Sequence, residues 1–441
     1  AVEAAMDEAF RDSLTGLPNR ALFLDRLGVA LARAERTGTP VAVLFCDLDG
    51  FQTVNDSLGH QAGDRFLVLV AERLRESLRP EDTLARLGGD EFAVLLEEVD
   101  EPEASARAAR AILGALEQPF ELSDREIYAG ASIGIAAGTG EPHTLLRDAD
   151  LAMYRVKAEG KGGYAAYEPQ MHTAVVDRLE LELDLKRAIG RGEFVLDYQP
   201  IFDLRRGSIA GLEALVRWRH PRRGLLRPAR FVPLAEESGE IAALGRWVMR
   251  TACHQAALWQ ARHPTLAEFQ IAVNISAVQL RDPRFADEVA TTLAAAELDP
   301  ERLTLEITES ALMEDTEIAV RRLHELKALG VELAIDDFGT GYSSLTHLQR
   351  FPLDNLKIDR DFVARGAGAD RAPPLLRAIV ELAEIFKLTP VAEGIEREEE
   401  VDRLLELGCV LGQGHLLSEP LHAAEADAFL DQARLSSADA R

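Results

Sequence analysis

Carboxylates, amides and one lysine recur through the second half of the chain at the ends of apolar runs. Glu213 lies within one such run and Asn274 closes another. Glu306 and Glu309 bracket Ile307-Thr308, Asp336 and Asp337 end a further run, and Lys357, Glu393 and Gln413 each follow short apolar segments. A lone carboxylate at a strand end is ordinarily a cap or a loop anchor. Six of them brought to one mouth would repel one another strongly unless cations neutralised them. The set holds oxygen donors and no His or Cys, which favours Mg²⁺ or Mn²⁺ over zinc. A pair of such ions suits phosphodiester hydrolysis, one activating water while both stabilise charge at phosphorus. Lys357 is then expected near the attacking water or the phosphate. Arg217, four residues beyond Glu213 and so on the same strand face, could hold a non-bridging phosphate oxygen.

The first half carries a second constellation. Arg86-Leu87-Gly88-Gly89-Asp90-Glu91-Phe92 places two glycines and two carboxylates between apolar runs that read as the strands of a hairpin. Glycines allow a backbone to approach a polyphosphate closely. Asp47, at the end of an apolar strand, is expected to meet Asp90 across adjacent strands. With the Leu48 carbonyl they would make a Mg²⁺ site. Lys157 and Lys161 stand four residues apart, one helical turn if the helix extends that far, and would take a triphosphate. The fragment by itself is equally an ordinary Gly-Gly-Asp turn, and a lysine pair at a helix end is more often simply solvated.

Two α/β halves must position these groups. In the first, Val41–Leu48 reads as a strand, Ala62–Leu78 as a helix, then the hairpin, a helix over Ser105–Leu116, a strand over Ile127–Ala136, a helix over Pro142–Ala158 and a strand over Tyr164–Tyr167. That order requires a mixed sheet. Met171–Ile189 reads as a helical connection. Eight strands follow, over Phe194–Pro200, Ile209–Trp218, Phe269–Ile275, Leu303–Glu309, Val331–Asp337, Asn355–Ile358, Pro390–Ile395 and Cys409–Gln413. With intervening helices they predict a (β/α)8 barrel. The link Asp203–Gly207 is too short for a parallel crossover, so the first strand should run antiparallel. The division expected is 1–168, a connection and first helix over 169–192, a barrel over 193–432 and a tail over 433–441.

Composition narrows the function. The chain of 441 residues suits two domains. Seventy-five acidic against 49 basic residues, a formal charge of −26, argue against a nucleic-acid polymer as partner. Cys46, Cys253 and Cys409 are scattered, which suits a reducing cytoplasm and argues against a thiolate zinc site. No apolar run approaches the length of a membrane span, so no membrane contact is expected from this segment. The opening at Ala1, in a helical-looking stretch, is compatible with a missing upstream sensor or membrane region.

The motifs resemble known families. Glu213-Ala214-Leu215 with Val216-Arg217-Trp218 is similar to the signature of EAL-domain cyclic-di-GMP phosphodiesterases. Tyr198-Gln199-Pro200, Asn274-Ile275-Ser276, Glu306-Ile307-Thr308-Glu309, Asp336-Asp337-Phe338-Gly339, Lys357-Ile358-Asp359, Glu393-Gly394 and Gln413-Gly414 match in order. The resemblance implies a first metal on Glu213, Asn274, Glu306 and Asp336. A second would be shared by Asp336, Asp337 and Glu393. Gln199 and Gln413 would line the site, and Glu309 would tether the loop Asp337–Ser344, which in the family couples dimerisation to metal binding. His415 and Glu419 depart from the aromatic and basic residues usual at the rim.

Asp12–Arg20, Phe45–Phe51 and Asn55–Asp64, with the hairpin, resemble GGDEF diguanylate cyclases, a nucleotide-cyclase-like fold. By that resemblance Asn55 and Asp64 read guanine, and Gly88 and Gly89 approach the phosphates. Asp47, the Leu48 carbonyl and Asp90 hold one or two metal ions. Glu91 is a further ligand or assists deprotonation of the 3′-hydroxyl, Arg86 stabilises the reacting phosphate, and Lys157 and Lys161 bind phosphates. Gln52 replaces a common lysine, and Lys161 stands where arginine is usual. Arg79 and Asp82 have the R-x-x-D spacing of a product-inhibition site, although such a pair is ordinarily a surface ion pair. The resemblance therefore implies GTP, cyclic-di-GMP and pGpG as ligands and a homodimer for synthesis. A GTP-binding regulatory role for the first half, and a catalytically silent cyclic-di-GMP receptor, are the competing readings.

Overall fold

The computed structural model describes residues 9–97, 99, 102–122, 125–158, 160–263, 269–314, 316–339, 348–364 and 374–438. The chain divides into two compact units, 1–179 and 180–441, and the division falls inside the helix Pro169–Ala188. Among the described residues no helix is long and apolar enough to cross a membrane.

The first unit is built on β1 (Val41–Asp49), β2 (Thr83–Gly88), β3 (Glu91–Leu96), the small hairpin β4 (Phe120–Leu122) and β5 (Arg125–Ile127), β6 (Gly130–Gly138) and β7 (Gly163–Ala166). Its main sheet runs β2-β3-β1-β6-β7. The sheet is antiparallel except for the parallel pair β6–β7, a mixed sheet as the element order requires. The central strand β1 is buried on both faces, which explains its unbroken apolar run. Side chains alternate along it. Ala42, Leu44, Cys46 and Leu48 pack with Phe66, Val70 and Ile112 on one face. Val41, Val43 and Phe45 pack with Phe23, Leu27, Leu146 and Met153 on the other. Asp47 continues the second set, so it emerges on the face covered by the helix Pro142–Ala158.

That helix lies unusually close. A Cβ on Gly134 of β6 would stand 1.9 Å from the Ala149 carbonyl oxygen and 2.2 Å from the Met153 nitrogen. Only a residue without a side chain permits this approach, which brings the helix's last turn over the end of β1. The helix Arg20–Thr37 completes the layer, burying Phe23, Leu27, Ala30, Leu31 and Ala34; Asn19 caps it by accepting from the amides of Ala21 and Leu22.

The second unit contains β8 (Phe194–Asp203), β9 (Ser208–His220), β10 (Gly224–Leu226), β11 (Gln270–Asn274), β12 (Leu303–Thr308), β13 (Glu332–Phe338), β14 (Asn355–Ile358), β15 (Thr389–Ala392), β16 (Leu411–Gly412) and β17 (Leu421–His422). Among the described residues, β8, β9 and β11 to β16 close an eight-stranded barrel, with β10 and β17 appended. β8 runs antiparallel to both its barrel neighbours, β9 and β16, as its short link to β9 requires. Leu181, Leu185 and Ala188, from the helix Pro169–Ala188, join the barrel's core.

Gly134→Ala is expected to destabilise the first unit by about 3 kcal/mol, because backbone must move to admit the methyl group. Thermal unfolding followed by circular dichroism checks this, and an unchanged melting profile would contradict the close packing.

Candidate functional site

The barrel strands from β11 to β14 each deliver a polar residue from their C-terminal half, and Glu213 from the middle of the long β9 joins them at the mouth where sites of this fold assemble. Glu213 comes from β9, Asn274 from β11, Glu306 from β12, Asp336 and Asp337 from β13, and Lys357 from β14. Glu393 follows β15 directly, and Gln413 follows β16. The register sets Asn274 beside Glu306 and Gln199 of β8 opposite Glu213.

Lys357 is the hub. Its Nζ lies 2.7 Å from Glu306 Oε2, 2.7 Å from Glu393 Oε1, 3.2 Å from Glu213 Oε2 and 3.6 Å from Asp336 Oδ1. Asn274 Nδ2 donates to Glu213 Oε1 at 2.7 Å and to Glu306 Oε2 at 3.3 Å. Gln413 Nε2 donates to Glu213 Oε2 at 2.6 Å and to Glu393 Oε1 at 3.0 Å. Asp336, Asp337 and Glu393 bring carboxylate oxygens within 4.8 Å of one another. Asp337 adopts φ +53°, a left-handed conformation uncommon outside glycine. Its amide donates to Asp336 Oδ1 at 2.9 Å.

One ammonium cannot balance Glu213, Glu306, Asp336, Asp337 and Glu393. Burial pushes Glu393 up to about 8, with Lys357 offsetting only part of the effect. Burial, then the Glu213 charge, holds Glu306 well above the usual carboxylate range. Burial and Asp336 raise Asp337. Glu213 goes the other way: burial disfavours its charge, but Lys357 and the bonds from Gln413 and Asn274 outweigh it. Burial likewise opposes the Lys357 charge, and the surrounding carboxylates keep the ammonium protonated.

The donor set fits hard divalent cations: carboxylate and amide oxygens only, with protons on carboxylates that a dication would displace. Gln413 Oε1 is buried without a partner among the described residues, a further acceptor at the site.

Five of the six expected carboxylates converge. Glu309 instead opens the helix Glu309–Glu314 and accepts the Gly339 amide at 2.8 Å. This ties it to the segment leaving β13; residues 340–344 of the expected loop lie outside the described residues. Arg217 lies on the expected strand, but its Nε is held 3.0 Å from Asp197 Oδ2. Gln199 Nε2 donates to the Ser418 carbonyl at 3.3 Å. A cleft of about 630 Å³ opens beside Glu213 and Asn274, walled by Leu215, Pro228, Val232 and Ile241.

In the first unit Asp90 lies near enough to Asp47 for its charge to act, behind burial, in raising the Asp47 carboxyl. Glu91, not Asp90, lies directly across from Asp47. Asp90 sits in the turn, its carbonyl accepting the Leu48 amide at 3.3 Å. The β2–β3 ladder shifts between Arg86 and Gly88. Gly88 and Gly89 take positive φ of 151° and 50° there, which favours glycine. Arg86 turns inward: its Nη1 lies 3.0 Å from both Asp12 carboxylate oxygens, and its Nε and Nη2 donate to the Gly89 carbonyl at 2.9 and 2.7 Å. Here it ties the opening segment to the turn.

Lys157 Nζ stands 2.7 Å from Asp47 Oδ1. Lys161 is not one turn further along a helix. The helix ends at Ala158, and Lys161 follows with φ +66°. Asp49 holds that segment by accepting the Gly162 amide at 3.0 Å. Burial, then the charges of Asp150 and Asp47, raises Glu91. Asn55 and Asp64 lie on successive helices, Phe51–Leu58 and His60–Glu76. A Cβ on Gly63 would meet the Asn55 carboxamide oxygen at 2.0 Å, so Asn55 lies against the helix that carries Asp64. Separately, Asp82 Oδ2 accepts the Arg79 amide at 3.1 Å, and both residues line a cleft of about 230 Å³ with Arg107.

The EAL domain matches residues 182–420, and the diguanylate cyclase GGDEF domain matches residues 9–163. The chain belongs to the tandem GGDEF–EAL family. It is 44% identical over 421 residues to the bifunctional diguanylate cyclase/cyclic di-GMP phosphodiesterase MucR of Pseudomonas aeruginosa, covering 95% of this chain and 61% of that protein. It is 41% identical over 431 residues to the cyclic di-GMP phosphodiesterase NbdA of the same organism, covering 97% of this chain and 54% of that protein. The chain thus spans between half and two thirds of the length of these relatives. A solved PaMucR phosphodiesterase in complex with c-di-GMP superposes with a TM-score of 0.54 at 42% identity, covering 56% of this chain and 99% of that one.

Several residues of this GGDEF–EAL chain escaped sequence reasoning. Asp150 stands seven residues before Lys157 on one helix, a two-turn spacing that could have flagged it. Asp12 lies in the opening motif Asp12–Arg20, but its contact with Arg86 has no spacing signal, and neither do Asp197 and Arg107, because each is recruited from a distant segment.

The raised Glu393 sets a pH dependence. Its folded-state value of about 8 exceeds the ordinary 4.5. The metal-free fold therefore holds a proton that the unfolded chain lacks, and this contribution to stability declines as pH rises from 4.5 to about 8. Calorimetric titration of Mg²⁺ or Mn²⁺ should show proton release and tighter binding at about pH 8 than at about pH 6; pH-independent binding would contradict this. Lys357→Met should destabilise the metal-free EAL half by about 3–5 kcal/mol, with divalent cation restoring part of the loss in thermal melts.

Proposed function

We propose that the EAL half hydrolyses cyclic-di-GMP to linear pGpG with two divalent cations, Mg²⁺ or Mn²⁺. The GGDEF half condenses two GTP into cyclic-di-GMP when two copies of the domain face each other. The observation that carries the first assignment is the convergence of Glu213, Asn274, Glu306, Asp336, Asp337 and Glu393 around Lys357. Bound cations would supply a water of lowered pKa and positive charge against the phosphorus. Lys357 moves from balancing carboxylates to orienting water and phosphate. Arg217 receives a non-bridging phosphate oxygen, while Gln199 and Gln413 border the nucleotide.

In the GGDEF half, Asp47, the Leu48 carbonyl, Asp90 and Glu91 hold one or two cations, and Lys157 and Lys161 take the phosphates. Asn55 and Asp64 read guanine. Arg86, engaged by Asp12 and Gly89, shapes the turn that the phosphates meet. One such site positions one GTP, so synthesis needs a homodimer. Arg79, Asp82 and Arg107 line the cleft in which product would bind and inhibit. Both activities operate in the cytoplasm.

Incubating the protein with GTP, and separately with cyclic-di-GMP, in Mg²⁺ and separating products by chromatography tests both assignments. Glu213→Ala should abolish pGpG formation and leave GTP condensation; Asp90→Asn should do the reverse. If GTP is never converted but lowers the KM for cyclic-di-GMP, the GGDEF half is a regulator. Binding of cyclic-di-GMP without cleavage under any metal condition would make the chain a receptor.

A further inference from the structure

A histidine in the segment closing the barrel is coupled to the arginine beside the metal cluster. His422 lies on β17, directly opposite Asp197 of β8. Its Nδ1 is 2.5 Å from Asp197 Oδ1, and the other carboxylate oxygen of Asp197 is 3.0 Å from Arg217 Nε on β9. Three strands thus contribute one chain of contacts, imidazole to carboxylate to guanidinium. The Asp197 and Arg217 side chains are 8% and 11% exposed, whereas His422 is 49% exposed. The inner pair is fixed, and its outer member meets solvent.

Charge counting shows what the histidine changes. Arg217 with Asp197 alone is neutral as a pair, and the carboxylate would repel an approaching phosphodiester. An imidazolium on the far oxygen returns the group to one net positive charge. It also fixes the carboxylate plane against which Arg217 is oriented. A guanidinium carries five donors, more than its contacts to Asp197 and the Val216 carbonyl use. Among the described residues Glu425 of the C-terminal helix also lies beside His422, its carboxylate accepting the His422 amide at 2.9 Å.

We propose that Asp197 and His422 are positioning residues for Arg217, and that the charge on His422 sets how strongly the EAL mouth holds a phosphodiester anion. The inference rests on the phosphodiesterase reading, in which Arg217 meets substrate phosphate. An imidazole changes charge between about pH 5 and pH 8. The charged state, at the acid end, is the tighter one, so KM should rise with pH.

The test is KM and kcat for cyclic-di-GMP at saturating Mg²⁺ across that range. Wild type is expected to lose affinity roughly fivefold from the acid to the alkaline end through KM. His422→Gln should show the high KM throughout with kcat close to wild type at each pH. His422→Lys, which keeps a cation there, should hold KM low at the alkaline end. Asp197→Asn should raise KM at every pH; should it fail to fold, the exposed His422 variants still decide. Identical KM profiles for wild type and His422→Gln, or changes confined to kcat, would overturn the proposal. Absence of hydrolysis at every pH would instead defeat the phosphodiesterase reading. Equilibrium dialysis of cyclic-di-GMP would then decide the His422 role: a pH-dependent Kd lost in His422→Gln supports it, and identical Kd values overturn it.

Discussion

A buried ammonium amid buried carboxylates is the constraint on which the EAL half depends. Lys357 is 2% exposed and touches Glu213, Glu306 and Glu393 at hydrogen-bonding distance. Such a cluster is a poor source of net stability compared with apolar packing, since desolvation offsets much of what the attractions return. Its value is poise. One lysine neutralises too little, so carboxylates retain protons, and the cluster remains ready to exchange those protons for divalent charge. The barrel exists to make this arrangement affordable: β9 and β11 to β16 bring groups far apart in sequence to one mouth.

The GGDEF half solves a similar problem with less burial. β1 is covered on both faces, and its alternation alone sends Asp47 toward the helix Pro142–Ala158. Gly134 then lets that helix descend until Lys157 reaches the carboxylate. Glu91 arrives by cross-strand register. Arg86 holds the turn from beneath, so the glycines remain open to solvent while the turn stays anchored. Packing on one face and hydrogen bonding at the other produce the site together.

Much of this was legible in the residues. The mixed sheet, the eight-stranded barrel and its reversed first strand all follow from run lengths and link lengths, and the hairpin from Gly88-Gly89. The less legible parts share a cause. Where a carboxylate ends up depends on register and on partners from distant segments, which local spacing does not encode. The continuous register of β1 against β3 puts Glu91, rather than Asp90, opposite Asp47. A helix that stops at Ala158 takes Lys161 off the face it was expected to share with Lys157. Arg217 was legible as lying on the Glu213 face, but not as held by Asp197, which β8 contributes because it runs antiparallel.

The central claim is that the carboxylates around Lys357 are a divalent metal site. Anomalous diffraction from crystals grown with Mn²⁺ tests it most directly. Two peaks are predicted, one among Glu213, Asn274, Glu306 and Asp336 and one among Asp336, Asp337 and Glu393. No peak at the barrel mouth, with Lys357 still bonded to Glu306 and Glu393, would contradict the account.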